Sequence, residues 1–125
     1  MARVLALVPD LLFGSRVQGD LSAGGHEVAL ISDQARLRER LADPEADAAR
    51  VLVVDLTDPD LDGAAIVESL RREGLLEGLS TLAFYSHVDT EAKERAESAG
   101  FEMIVPRSRM AREGSGLVAR LAGGD

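Results

Sequence analysis

The stretch Val51-Leu52-Val53-Val54-Asp55, with the loop Leu56-Thr57-Asp58-Pro59-Asp60-Leu61-Asp62-Gly63 behind it, decides the fold. Four consecutive apolar residues show no alternation, so both faces of the segment must be covered. That is the pattern of a strand inside a parallel sheet. Open α/β sheets place ligands and chemistry at the carboxyl ends of such strands. Asp55 stands at that end. The plainer reading of the same spacing is a loop aspartate that accepts a hydrogen bond from a helix N-terminus.

Working outward, short apolar runs recur at residues 4–8, 27–31, 81–85 and 103–105, and each precedes a helix-like stretch. Phe13, Val17 and Leu21 form one stripe, ended by Gly24-Gly25. Leu37 and Leu41 form a shorter one, closed before Pro44. Ile66, Val67 and Leu70 face inward until Gly74. Asp89 or Thr90 can cap a helix carrying Ala92, Ala96 and Ala99, which ends at Gly100. Leu117, Val118 and Leu121 make the last stripe, before a tail, Ala122-Gly123-Gly124-Asp125, expected to fray. Strict strand–helix alternation implies parallel strands joined by right-handed crossovers. Five units predict one α/β domain over residues 1–125, a flavodoxin-like three-layer sandwich with five parallel strands in order 2-1-3-4-5.

Composition narrows the function. The chain has 125 residues, enough for one core, and no cysteine, which excludes thiol chemistry and disulfides. Its net charge of −8 argues against nucleic acid or an anionic membrane as a partner. His26 and His87 are too far apart in sequence to suggest a histidine metal cluster. The apolar N-terminus runs straight into Pro9-Asp10, too short for a leader or a membrane span, so a cytoplasmic location is the expectation. The turn after the first strand holds a single glycine, Gly14, and lacks the glycine-rich loop of a dinucleotide site. No nucleophile–base pair is evident, and no enzymatic activity is expected.

In the predicted order, strands 1 and 3 are neighbours at the switch point. Asp10 and Asp55 then face one crevice, bordered by Ser86 after strand 4 and Arg107 after strand 5. Two carboxylates, a hydroxyl and a cation suit a small oxyanion held near a divalent metal.

With these residues the chain resembles the receiver domain of two-component response regulators, over essentially its whole length. Asp55 matches the phosphoacceptor aspartate, with Pro59 and Gly63 in the loop behind it. Asp10 matches the second of two acids after strand 1. Ser86 matches the hydroxyl residue that contacts the phosphoryl group. Ala99-Gly100 matches the small pair before strand 5. The resemblance implies Mg²⁺ bound by Asp10 and Asp55, phosphate contacts from Ser86 and Arg107, and a pocket rim at Thr57 and His87. It also implies a protein partner, either a histidine kinase or a downstream signalling protein; a homodimer is a further candidate.

The departures set the expectation. Pro9 replaces the first acid, Arg107-Ser108 replaces the usual Lys-Pro, and His87 stands where a small residue is common. Three acids and one lysine carry a formal charge of −2, whereas Asp10, Asp55 and Arg107 carry −1. A unit charge 4 Å away is worth about 4 kcal/mol at an effective dielectric of 20, so Mg²⁺ should bind weakly or not at all. Arginine can fork onto a carboxylate, so Arg107 is expected to pair with Asp55 or to lie within water-bridging range of it. The reading is a stand-alone atypical receiver, a pseudo-receiver in a signalling pathway, acting by protein–protein interaction with little or no phosphorylation and no required cofactor. A phosphorelay receiver phosphorylated on Asp55 with Mg²⁺ is the alternative. A small-molecule binding module on the same scaffold is the alternative of a different class.

Other motifs carry plainer readings. Asp58-Pro59-Asp60-Leu61-Asp62-Gly63 opens like a calcium loop, but its twelfth position is Ser69 and no helix precedes it. It reads as an acidic loop with Asp62 near a helix start. Arg36, Arg38 and Arg40 read as surface charge balanced by Glu39. Arg107, Arg109 and Arg112 read as helix-end solvation or as an acidic-partner contact. His26 reads as structural, and His87 as a polar strand-end residue or a gate to the pocket.

Overall fold

The computed structural model describes residues 2–43 and 49–123. Strands β1 (Arg3–Leu7), β2 (Glu27–Ile31), β3 (Val51–Asp55), β4 (Ser80–Tyr85) and β5 (Met103–Pro106) alternate with helices α1 (Leu11–Ala23), α2 (Gln34–Ala42), α3 (Gly63–Arg72), α4 (Thr90–Ala99) and α5 (Arg107–Gly123). The sheet is parallel throughout, in the order β2-β1-β3-β4-β5. This is the flavodoxin-like arrangement the alternation predicts.

All five residues of β3 are buried. Side chains alternate across the sheet, so Leu52 and Val54 join Leu5, Leu7, Ile66, Val67 and Leu70 on one face. Val51 and Val53 join Val4, Ala6, Phe84, Phe13, Val17 and Leu117 on the other, beneath α1 and α5. The same period puts Asp55 on the α1–α5 side, and this parity decides which charges it meets.

The first four helix starts carry a capping aspartate. Asp10 caps α1, Asp33 caps α2, Asp62 caps α3 and Asp89 caps α4, each accepting from backbone N–H groups of the first turn. Gly100 closes α4 in the left-handed region at φ 86°. After α1 the left-handed residue is Gly25, not Gly24.

Several details differ from expectation. Arg38 is not balanced by Glu39. It crosses to α3, where it pairs with Glu73 and donates to Ser69 at 3.0 Å, because α2 and α3 lie side by side. The expected fraying of Ala122 and Gly123 does not occur, since α5 runs through Gly123 and Arg50 donates to the Ala122 carbonyl at 3.1 Å. Pro44 and the tail residues Gly124 and Asp125 lie outside the described residues. His26 is buried and structural as read, bridging Ala2 N–H (3.1 Å) and the Ser115 carbonyl (3.2 Å).

Candidate functional site

The carboxyl ends of β1, β3, β4 and β5 form one rim, and the expected site residues lie along it. Asp55 closes β3 and is 1% exposed. Its register partner on β4 is Phe84, which packs on Phe13 with ring centroids 5.1 Å apart. Asp55 is therefore flanked by aromatic core on the α1–α5 side. Its Oδ1 accepts from the Thr57 N–H at 2.7 Å and from the Thr57 hydroxyl at 2.6 Å. Thr57 is thus more than a rim residue, because it holds the carboxylate directly.

Burial pushes the Asp55 carboxyl above its ordinary range, because desolvation penalises the charged form. The two Thr57 hydrogen bonds and the Arg107 charge act in the opposite sense without cancelling it, and Asp58 adds to the rise.

Asp10 follows β1, and both of its oxygens are engaged. Oδ1 accepts from the Leu12 and Phe13 N–H groups at 2.9 and 3.0 Å. Oδ2 lies 3.7 Å from the Arg107 guanidinium. Arg107 also stacks over the Phe13 ring, 4.1 Å from its centroid. Of the two arrangements expected, a direct Arg107–Asp55 ion pair or an approach within water-bridging range, the direct pair does not form. Asp10 and the Phe13 face hold the guanidinium, and Asp55 feels it only through space. Phe13 had read as plain core. Ninety-four positions separate it from Arg107, and no local pattern signals that stack.

Ser86 follows β4 half-buried, and its carbonyl accepts from the Asp89 N–H at 2.8 Å. His87 is exposed in the loop before α4. Both follow the carboxyl end of β4, and no hydrogen bond between either side chain and Asp55 occurs among the described residues.

The acidic loop after β3 is spent on structure. Asp58 Oδ1 accepts from the Asp60 N–H at 2.8 Å, and Asp62 caps α3 while binding Arg95 at 2.6 and 2.7 Å. The Arg95 guanidinium is also what holds the Asp62 carboxyl below its usual range.

Mg²⁺ demands a near-octahedral set of oxygen ligands. Pro9 offers no carboxylate, Asp10 is committed to a helix cap and a cation, and Asp55 Oδ1 is committed to Thr57. Among the described residues no three His, Cys, Asp or Glu side chains are grouped to hold a metal ion. The donor set does not fit Mg²⁺. Among the described residues no helix is long and apolar enough to cross a membrane.

No protein-family model matches the sequence. No curated protein matches it either. Solved structures do. A putative response regulator from Chloroflexus aurantiacus superposes with a TM-score of 0.82 at 20% identity, covering 98% of each chain. The receiver domain of a Francisella response regulator gives 0.78 at 18%, covering 99% of this chain and 98% of that one. The receiver domain of a Pseudomonas aeruginosa sensor histidine kinase, solved with magnesium in its active-site cleft, gives 0.79 at 17%, covering 98% of each chain. With its strand order, its buried aspartate at the end of β3 and these superpositions, the chain has the fold of response-regulator receiver domains.

Proposed function

We propose that this chain is a receiver-type signalling module that works by binding a protein partner and does not use Asp55 as a Mg²⁺-dependent phosphoacceptor. The state of Asp10 carries the reading. It is the acid that would join Asp55 at a metal, and the α1 N-terminus and Arg107 take up both of its oxygens. Pro9 supplies no substitute. Thr57 completes the arrangement by holding Asp55 in place without any added ligand. Asp10 and Asp55 are thus held by groups of the chain itself, and the fold is left with its surfaces as its means of signalling.

The test is incubation with acetyl phosphate and Mg²⁺, read by intact mass, with Asp55→Asn as control. The expected result is no gain of a phosphoryl group. A Mg²⁺-dependent gain that the control abolishes would overturn the reading and install the phosphorelay alternative.

A further inference from the structure

The sheet has a free edge at β2. In its ladder with β1, the Glu27 N–H donates to the Ala2 carbonyl at 2.9 Å and the Ile31 carbonyl accepts from the Val8 N–H at 3.1 Å. Peptide groups alternate in direction along a strand, so Glu27, Ala29 and Ile31 face β1 while Val28 and Leu30 face outward. One side chain reaches that outer edge. Gln18 of α1 donates to the Val28 carbonyl at a long 3.4 Å. Among the described residues the Val28 N–H and both backbone polar groups of Leu30 have no hydrogen-bond partner.

Exposed edges are normally blunted by proline, lysine, a bulge or an inward charge. Glu27-Val28-Ala29-Leu30-Ile31 has none of these. Its register with β1 is unbroken, and its one charge, Glu27, sits at the amino end, where Arg3 holds it at 2.6 Å. Leu30 is 37% exposed on this edge. Val28 packs on the α1 side of the sheet and Ala29 on the α2 side, so a strand added here would meet a different helix with each alternate side chain.

The cleft beside the edge, of about 500 Å³, shows what those side chains must be. Leu11 and Leu30 line it on the α1 side, and Arg36, Glu39 and Arg40 on the α2 side. Of its other acids, Asp10 is held by the α1 N-terminus and Arg107, and Asp43 is itself engaged. Arg36 meets Asp33 at 3.6 Å with both side chains more than half exposed, a contact that stabilises little. Arg40 is half-buried and has no ion-pair partner among the described residues. Two weakly held cations against Glu39 leave the unspent charge of the cleft positive. A second copy, paired edge to edge and antiparallel, would set α2 beside α2 and these arginines beside their own kind, in a chain that carries −8.

We infer that the outer edge of β2 is a strand-addition site for an extended segment of a partner protein in which β-branched apolar residues alternate with acidic ones. Its backbone would pair with Val28 and Leu30, its apolar side chains would lie on the α1 side with Leu30, and its carboxylates would meet Arg36 and Arg40. In strand addition the main chain supplies affinity and alternate side chains supply specificity. The inference rests on the reading above that the module acts by protein contact. It adds the edge that is used and the chemistry that fits it.

The experiment titrates the ¹⁵N-labelled full chain, at physiological salt, with end-blocked heptapeptides. One alternates Val and Glu, and one alternates Val and Lys. Two more are the Val/Glu peptide N-methylated at the Val amides or at the Glu amides. The expected result is saturable binding of the Val/Glu peptide, with the largest shifts at Val28 and Leu30 and slowed exchange of those two amides. The Val/Lys peptide should bind at least about tenfold more weakly. Only one set of alternate amides can point at β2, so one N-methylated peptide should lose binding and the other keep it. Leu30→Pro removes an outward donor and Arg40→Glu reverses a charge, and each should weaken the Val/Glu peptide severalfold with the β5 amide shifts unchanged. Should Leu30→Pro fail to fold, Arg40→Glu and the N-methylated pair still decide.

No saturable binding, equal loss from the two N-methylated peptides, equal binding of the Val/Lys peptide, or unaltered exchange at Val28 and Leu30 would overturn the inference. So would protection of the same two amides by concentration alone, which would put a second copy on this edge. The phosphodonor experiment is indifferent to these outcomes, so failure of the strand-addition site and failure of the pseudo-receiver reading are told apart.

Discussion

Asp55 shows how one residue can be legible in its position and illegible in its state. The apolar run before it places it at a strand end, and the period of a strand places it on the α1–α5 face. Its protonation depends on burial, which no local pattern reveals. Because the folded state holds the Asp55 proton more tightly than the unfolded chain does, stability falls as pH rises from the ordinary carboxylate range through the raised folded value. The cost is fully present above the raised folded value and absent below the ordinary range. Asp55→Asn should therefore melt at a higher temperature than the parent at pH 7, with the gap closing toward pH 3; a gap of equal size at both pH values would contradict this. Arg107 contributes at the same scale. Its charge opposes the rise at Asp55, and its plane stacks on Phe13. Arg107→Lys keeps the charge and loses the stack, so urea unfolding should show a loss of about 0.5–1 kcal/mol. The Asp10 pair is half-exposed on both sides and adds little to that figure. In Arg107→Ala the Asp55 carboxyl should titrate at higher pH than in the parent, as followed by ¹³C NMR of the carboxyl.

At the scale of elements, the loop between β3 and α3 is the part that most directly shapes the site. It leaves the strand at Asp55, is held by Thr57, turns on Asp58 and enters α3 through Asp62. Gly63 lets it do so. A Cβ there would stand 2.6 Å from Val54 Cγ1 and 2.8 Å from Leu56 Cδ2, closer than packed carbons allow. Gly63→Ala must push α3 off the end of β3, and a destabilisation of about 1–3 kcal/mol is expected in chemical denaturation. The Asp55–Thr57 hydrogen bonds should loosen with it, seen as faster exchange of the Thr57 amide. The aspartates of this loop resembled a calcium ligand set only while their partners were unknown. With Asp62 bound to Arg95, thirty-three residues later, the loop is a brace between α3 and α4.

At the scale of the whole molecule, His26 ties the two ends of the chain together. Its ring accepts from Ala2 N–H at the start of β1 and meets the Ser115 carbonyl in α5. These contacts use opposite ring nitrogens, one as acceptor and one as donor, as in a neutral imidazole. His26→Leu would leave the buried Ala2 N–H without its acceptor and remove the second hydrogen bond of the Ser115 carbonyl, which keeps its place in the α5 ladder. A loss of about 1–3 kcal/mol is expected, with a matching drop in denaturation midpoint. A loss under 0.5 kcal/mol would show that water replaces the ring.

Strands, core stripes and helix starts were determined locally. A fully apolar strand, an apolar stripe at helical spacing and a capping aspartate each act within a few residues, so the sequence reveals them directly. Asp55, Asp10, Ser86 and Arg107 were legible as rim residues for the same reason, because each ends a strand or stands within three positions past one. What they do to one another was decided only by the tertiary structure. The Arg107–Phe13 stack, the Arg38–Glu73 pair and the Asp62–Arg95 pair span 94, 35 and 33 positions. Long side chains of this kind can reach several neighbours, and packing selects one. That selection sent Arg107 to Asp10 and the Phe13 ring, and left Asp55 to feel only its charge.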